Sequence, residues 1–572
     1  MGIKRYTAIN DNTITNAFQP NLITRGTSSN MGLADSLEVF SIYAQESSSS
    51  YEESKLLIKF PVVTADATTT IQSDRTAGTI PASGSVDFYL RLYNVKHTST
   101  LPRNFTLVIS PVSQSWQEGD GLDMDEYSDV TYNGTGSNWI NAQAATEWTN
   151  NSGRSLTSST DGGSYLSASW NGSPVTTYDE FNYTQTFGED GTGDLEVKIT
   201  GLVEQWIIGT SGDGYDNYGV GVMLTASQEA SSSVDALAGL PTGRADDDGL
   251  IQNPSGSTTS YYIKRFFGRK SQYFFKRPHI EARWDDSLRD DRGDFHYSSS
   301  LADGPDNLNT IYLYNYVRGI LKDIPGIEKT GSIMVSLFSG NLDDTRPTGS
   351  SGQLHINSSS NPGNEGKVGG VKLHVTGGWV STGIYSASLA ITASKTTSGF
   401  DPILTLYDVW STGSIVDADH LQTQFHTGTI KPIILESDNR MQKHRNYLSI
   451  TNLRNSYRAD ETARFNLFVR EKNWSPNIYT KASSNIETKT VHSASYRVYR
   501  TLDANDSVTY GTGSDKHTYL SYDVSGNYFD FDMSLLEPGY EYSFKFSFYD
   551  NSLSTWVEQE QAFKFRVEDY EY

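Results

Sequence analysis

No cysteine occurs in the 572 residues, which excludes disulfides, thiolate nucleophiles and cysteine-bound zinc. The same absence suits synthesis and folding in a reducing cytoplasm. Long apolar runs are missing as well, so membrane insertion is not expected. Met1-Gly2-Ile3-Lys4-Arg5-Tyr6 leads into polar residues without the apolar core of a signal peptide, and Tyr6 stands where a myristoylation motif needs Ser or Thr. Cations are scarce relative to anions. With 45 Lys plus Arg against 68 Asp plus Glu, the formal net charge is -23, which opposes long-range attraction to nucleic acid or to an anionic membrane. One basic cluster, Lys264, Arg265, Arg269, Lys270, Lys276 and Arg277, reads as solvated strand ends.

Catalytic signatures are lacking too. The chain has no Gly-x-Ser-x-Gly elbow, no phosphate-binding Gly-Lys-Ser/Thr loop and no His-Glu-x-x-His helix. Asp417, Asp419, His420 and His426 are residue types suited to metals, without the spacing of a zinc protease. Carboxylates are plentiful, but a glycosidase needs two at a defined separation in space, which a sequence does not display. Arg292-Gly293-Asp294 falls in a charged connector, where coincidence outweighs receptor recognition. No short fixed period recurs, which argues against a propeller or solenoid. The expectation is a non-enzymatic scaffold or binding protein with no catalytic residues and no organic cofactor.

What the chain does have is alternation. Phe88, Leu90 and Leu92 alternate with Asp87, Tyr89 and Arg91, and the same period of two runs through Tyr542–Phe548 and Phe563–Val567. Such strands bury one face and wet the other, as antiparallel sandwiches do. The 10 Trp, 35 Tyr and 24 Phe suit pleated surfaces. Ser, Thr, Gly, Asn and Asp supply the turns between. The fold class read from this is all-β: several antiparallel β-sandwich domains with long loop insertions. Because a single core rarely exceeds about 250 to 300 residues, about three or four domains are expected.

Residues 1–13 read as an N-terminal arm and 14–287 as a large first sandwich, with strands at 55–63, 85–95, 105–112 and 218–225. After Thr200 the spacing of Val203, Trp206 and Ile207 changes to that of a helical turn. Two polar excursions, 119–185 and 227–260, are long for a compact domain and are candidate contact surfaces. Residues 288–307 read as a connector. A second sandwich is expected over 308–436, with Thr376-Gly377-Gly378 as a turn, and a third over 437–572.

Asp120, Asp123, Asp125, Glu126 and Asp129 form the densest oxygen-rich cluster on a loop, and calcium is the cation such oxygens suit. The spacing is not that of an EF-hand, and a solvated acidic loop is the competing reading. Trp116, Trp139 and Trp148 could stack on sugar rings, with neighbouring Asn and Asp completing the hydrogen bonds, or could serve as sandwich core.

Resemblances add to this. Leu536-Glu537-Pro538-Gly539-Tyr540-Glu541-Tyr542 resembles the tyrosine corner of immunoglobulin-like and fibronectin type III domains. Lys55-Leu56-Leu57-Ile58-Lys59-Phe60, Ile80–Tyr93, Trp116-Gln117-Glu118-Gly119, Leu195–Val220 and Lys276–Glu281 resemble the DNRLRE or disaggregatase-related β-sandwich, often associated with carbohydrate-binding modules. Ser137-Asn138-Trp139-Ile140-Asn141 and Leu308–Gly319 are similar to large structural proteins of marine tailed bacteriophages. That similarity implies a virion protein made and assembled in the host cytoplasm, contacting other virion proteins and copies of itself in tail, baseplate, neck or fibre. Host-surface glycan recognition is the alternative.

Overall fold

The computed structural model describes residues 2–19, 21–23, 26, 28–45, 51–96, 104–122, 136–144, 146–148, 162–166, 183–188, 191–210, 214–231, 256–299, 301–339, 353–356, 374–392, 403–412, 424–433, 446–472, 488–511, 513–550 and 553–569. The chain is all-β with antiparallel sheets, and it divides into two compact units. One unit contains Gly2–Asp285 with Thr512–His517; the other contains Asp286–Gly511 and Thr518–Tyr572.

The first unit is a sandwich. Its smaller sheet orders Ile3–Thr7, His279–Arg283, Asp87–Leu92 and Leu195–Lys198. Its larger sheet orders Tyr261–Phe267, Ser36–Tyr43, Tyr51–Lys59, Val220–Leu224, Phe105–Pro111 and Tyr183–Phe187, with Asn10–Thr15 also paired to Tyr51–Lys59. Leu56, Ile58, Phe88, Leu90, Ile109 and Phe266 meet between the sheets and are fully buried. The helix Thr200–Ile208 buries Leu202, Val203 and Trp206 against this core, where the change of period placed it.

Three expectations need correction here. Residues 1–13 are not an arm, because Ile3–Thr7 pairs with His279–Arg283 and Asn10–Thr15 with Tyr51–Lys59, using both backbone edges of the segment. The first unit closes at Asp285 rather than at residue 287. The second face of the small sheet is not wet. Arg91, His279, Glu281 and Arg283 are buried on it, and Glu281 accepts from Arg5 Nε at 2.8 Å and Arg283 Nε at 2.7 Å. Glu196 pairs with Arg283 at 2.8 Å and Arg91 at 3.2 Å, so the alternating pattern hides a paired lattice of charge instead of a solvated surface. The guanidinium groups of Arg5 and Arg283 outweigh burial and hold the Glu281 carboxyl well below the usual range.

In the second unit, a six-stranded sheet orders Asn309–Tyr314, Ile384–Leu389, Val375–Ser381, Ile333–Ser339, Leu406–Ser411 and Gln424–Ile430. Its core face is covered by Phe295, Ile324, Ile327, Leu354 and Ile403 from outside those strands. The segment read as a connector therefore belongs to the core: Phe295 is fully buried, His296 bridges Ile433, and Ser298 donates to Ile391 O at 2.8 Å. One aromatic residue inside a charged stretch was enough to draw it in. The expected Gly377-Gly378 turn lies inside the strand Val375–Ser381. A Cβ on Gly377 would stand 2.5 Å from Ser386 O, so this glycine permits close strand approach. The actual turn is at Thr382-Gly383, where Gly383 has φ +72. A short hairpin, Tyr316–Val317 with Ile320–Leu321, turns at Arg318-Gly319 with φ +53 and +81, as a two-residue hairpin turn requires. Its base is fixed by Asn315 N to Gly383 O at 2.8 Å and Lys322 N to Asn315 O at 3.0 Å.

The C-terminal residues form an immunoglobulin-like sandwich. Asn446–Ile450, Thr462–Glu471, Gly526–Asp532 and Ser521–Asp523 make one sheet; Ser456–Arg458, Thr555–Glu568, Glu541–Asp550, Ala494–Arg500 and Asp506–Val508 make the other. Ser456–Arg458 runs parallel to Arg566–Glu568, whereas the other pairings are antiparallel. Phe465, Phe529, Phe544, Phe565 and Tyr496 pack between the sheets, with Phe544 stacked on Phe565 at 4.6 Å and Tyr496 on Phe529 at 4.5 Å. The tyrosine corner is present: the buried Tyr542 hydroxyl donates to Glu537 O at 2.9 Å. Tyr542→Phe should lower stability by about 1 kcal/mol, the worth of one buried hydrogen bond, while keeping the fold. Calorimetry of the C-terminal transition with circular dichroism of the variant checks this.

Candidate functional site

The outer face of the larger sheet gathers most of the described candidate residues. Strand Tyr51–Lys59 is buried on both sides: Leu56 and Ile58 face the central core, while Leu57 turns outward into a second cluster with Ile14, Val112, Trp139, Ala142, Trp148 and Tyr165. A strand apolar on both faces has to be covered twice. The second cover comes from the 119–185 excursion, whose described parts lie down on the sheet.

Local chemistry explains how. Asn138 Oδ1 accepts the backbone N–H groups of Ile140 at 2.9 Å and Asn141 at 2.7 Å, an Asx turn that points Trp139 inward. Trp148 Nε1 donates to Asn138 O at 2.8 Å. Tyr165 lies across Gly221, where a Cβ would stand 2.1 Å from the ring, so only glycine fits beneath it. Trp139 and Trp148 are 0% and 1% exposed, so neither offers a face to a sugar; the covering of Leu57 and Ile14 consumes both rings. Trp116 is half-buried, packs against the same cluster and donates from Nε1 to Tyr218 O at 2.8 Å.

A polar network fastens the start of the excursion. Glu118 accepts from Arg269 Nε at 3.0 Å and Nη2 at 2.5 Å, and from the Asp11 backbone N–H at 2.9 Å. The Arg269 backbone N–H donates in turn to Asp11 Oδ2. Asn12 Nδ2 donates to Ser137 O and Oγ, both at 2.8 Å, and its Oδ1 accepts from Met31 N at 2.9 Å. Asn30 Nδ2 bridges Glu118 O at 2.9 Å and Ser137 O at 2.8 Å. Burial pushes the Asp11 carboxyl up to about 7, against the opposing pull of Arg269 and with a further push from Glu118. Nearby, Lys55 Nζ sits 5.3 Å from the Trp139 ring centre, with Glu53 at 3.7 Å and Glu229 at 3.9 Å. Burial raises the Glu229 carboxyl while Lys55 draws it down.

Among the acidic candidates, Asp120 is exposed beside this network; Asp123, Asp125, Glu126 and Asp129 lie outside the described residues. Asp417, Asp419 and His420 also lie outside them, while His426 is exposed on the strand Gln424–Ile430. Arg292 is bound to the buried Asp408 at 2.7 Å and Asp294 pairs with the part-exposed His492, so the charged residues of Arg292-Gly293-Asp294 are engaged within their own unit. The basic cluster is not one patch of solvated ends. Arg265 pairs with Glu38, Arg269 with Glu118, and Lys264 is buried. Asp11, Asn12 and Asn30 escaped the sequence reading, and Arg269 entered it only as a solvated strand end; the available signal was the polar run Asn10-Asp11-Asn12-Thr13 between Ile9 and Ile14.

No protein-family model and no curated protein matches the chain. Among solved structures it is similar to the fibronectin(III)-like modules of Clostridium thermocellum CbhA, at 9% identity over 50% of this chain and 93% of that one, with a TM-score of 0.13. It is similar to titin domains z1z2 in complex with telethonin, at 9% identity over 46% and 90%, TM-score 0.12. A third is the adhesin InvE of Yersinia pseudotuberculosis, at 10% identity over 47% and 61%, TM-score 0.13. Scores this low transfer no property of those proteins to this chain.

Trp139→Ala should cost about 3–5 kcal/mol, the range for emptying an aromatic site in a core, measured by urea unfolding. The Asp11 carboxyl titrates at 3.8 in the unfolded chain and at about 7 in the fold. The folded state therefore holds the extra proton between those values. The stabilisation from Asp11 is complete below about pH 4, declines as pH rises and is lost above about pH 7. Asp11→Asn keeps an oxygen acceptor for Arg269 and should flatten that decline in melting temperature against pH.

Proposed function

We propose that the chain is a non-enzymatic structural protein of a bacteriophage virion, placed in the tail, baseplate, neck or fibre and working through contacts with neighbouring subunits, copies of itself included. The supporting observation is the Tyr316–Leu321 hairpin. Its base is pinned, its turn is tight, and Tyr316, Val317 and Ile320 are 59%, 43% and 65% exposed. Apolar side chains exposed on a hairpin with an anchored base suit a protein partner, because little ordering entropy is lost on burial.

The phage assignment rests on the resemblance of the whole arrangement, and of 137–141 and 308–319 in particular, to phage structural proteins. On this reading the protein is made in the host cytoplasm and resides in the virion. The glycan-reading alternative loses two of its three proposed stacking residues, since Trp139 and Trp148 are enclosed. Cryo-electron microscopy and peptide mass spectrometry of purified particles test the proposal. Stoichiometric peptides and density at a symmetric position are expected; absence from intact particles overturns it.

A further inference from the structure

We infer that Lys264 and Asn94 form an intramolecular isopeptide bond joining the two sheets of the first sandwich. Lys264 lies in the strand Tyr261–Phe267 at the edge of the larger sheet. Asn94 lies two residues beyond the strand Asp87–Leu92 of the smaller sheet and bridges to Phe266. Lys264 is 2% exposed, and its side chain enters the inter-sheet core, with Nζ 4.6 Å from the Phe187 ring centre and 5.2 Å from that of Phe266. It meets Asn94 Oδ1 at 2.7 Å, Gly191 O at 2.6 Å and Gly193 O at 2.6 Å. Asp194 Oδ1 accepts the Asn94 backbone N–H at 2.8 Å, which holds a carboxylate at the same residue.

These are the parts an amide exchange needs: an amine held at a carboxamide, a carboxylate that fixes the backbone of the carboxamide residue, and apolar walls. In the reaction Lys264 Nζ gives up a proton and attacks Asn94 Cγ. A new C–N bond forms, the bond from Cγ to the original amide nitrogen breaks, and the departing nitrogen takes up the proton that Nζ gave up. One ammonia leaves, taking up the remaining amine proton as ammonium. No oxidant or reductant takes part. The three acceptors and two rings named around Nζ would otherwise constitute an ordinary buried ammonium site, so covalent state is what the experiment must read.

Intact-mass spectrometry of the purified full chain distinguishes the two. The wild type is expected to be lighter than its sequence by one ammonia, and its digest to contain a branched peptide joining Asn94 to Lys264. Lys264→Met and Asn94→Ala should restore the full sequence mass, and Asp194→Ala, which frees the Asn94 backbone, should lower the share of the lighter species with both partners intact. Succinimide formation at Asn133-Gly134 or Asn171-Gly172 would also lose ammonia. A deficit that persists in Lys264→Met therefore overturns the inference, as does a wild type of full mass without the branched peptide. Both readouts apply even to a variant that folds poorly.

Discussion

The strand Tyr51–Lys59 sets the terms for the first unit, because its Leu-Leu-Ile run is apolar toward both sides of the sheet. One side is satisfied by the opposing sheet. The other would leave Leu57 and Ile14 in water, and the chain answers by folding part of a long excursion over them with two tryptophans and a tyrosine. At roughly 25 cal/mol for each Å² of apolar surface removed from water, three large aromatic rings give that cover a stability comparable to part of a domain core. The polar network around Glu118, Asn12 and Asn30 then fixes where the cover begins, since buried polar groups must find partners.

Much of this fold was legible. The alternating segments are strands, the change of period after Thr200 is a helix, and Tyr542 closes the corner that Leu536–Tyr542 announced. Failures share one cause: alternation reports which residues face each other, not what lies beyond the outward ones. Arg91 looks solvated in the sequence yet faces a paired carboxylate, and the sequence leaves Trp139 open between sugar stacking and sandwich core, where the structure encloses it. Gly377 reads as a turn because the pattern cannot separate a glycine that bends a strand from one that admits a neighbour.

The candidate site was legible only as a list of residue types. Glu118 drew notice beside Trp116, but its partners come from positions 11 and 269, and no local spacing links them. Those contacts exist because separate strands converge, which is information held by topology.

The parallel pairing of Ser456–Arg458 with Arg566–Glu568 has a mechanical meaning. A load applied to the start of the first strand and the end of the second would pull the two in opposite directions along their length. The cross-strand hydrogen bonds then share the load in shear, whereas an antiparallel pair pulled from one end would open bond by bond. A pull on residues 456 and 568 would therefore make this pair yield by shear instead of by peeling.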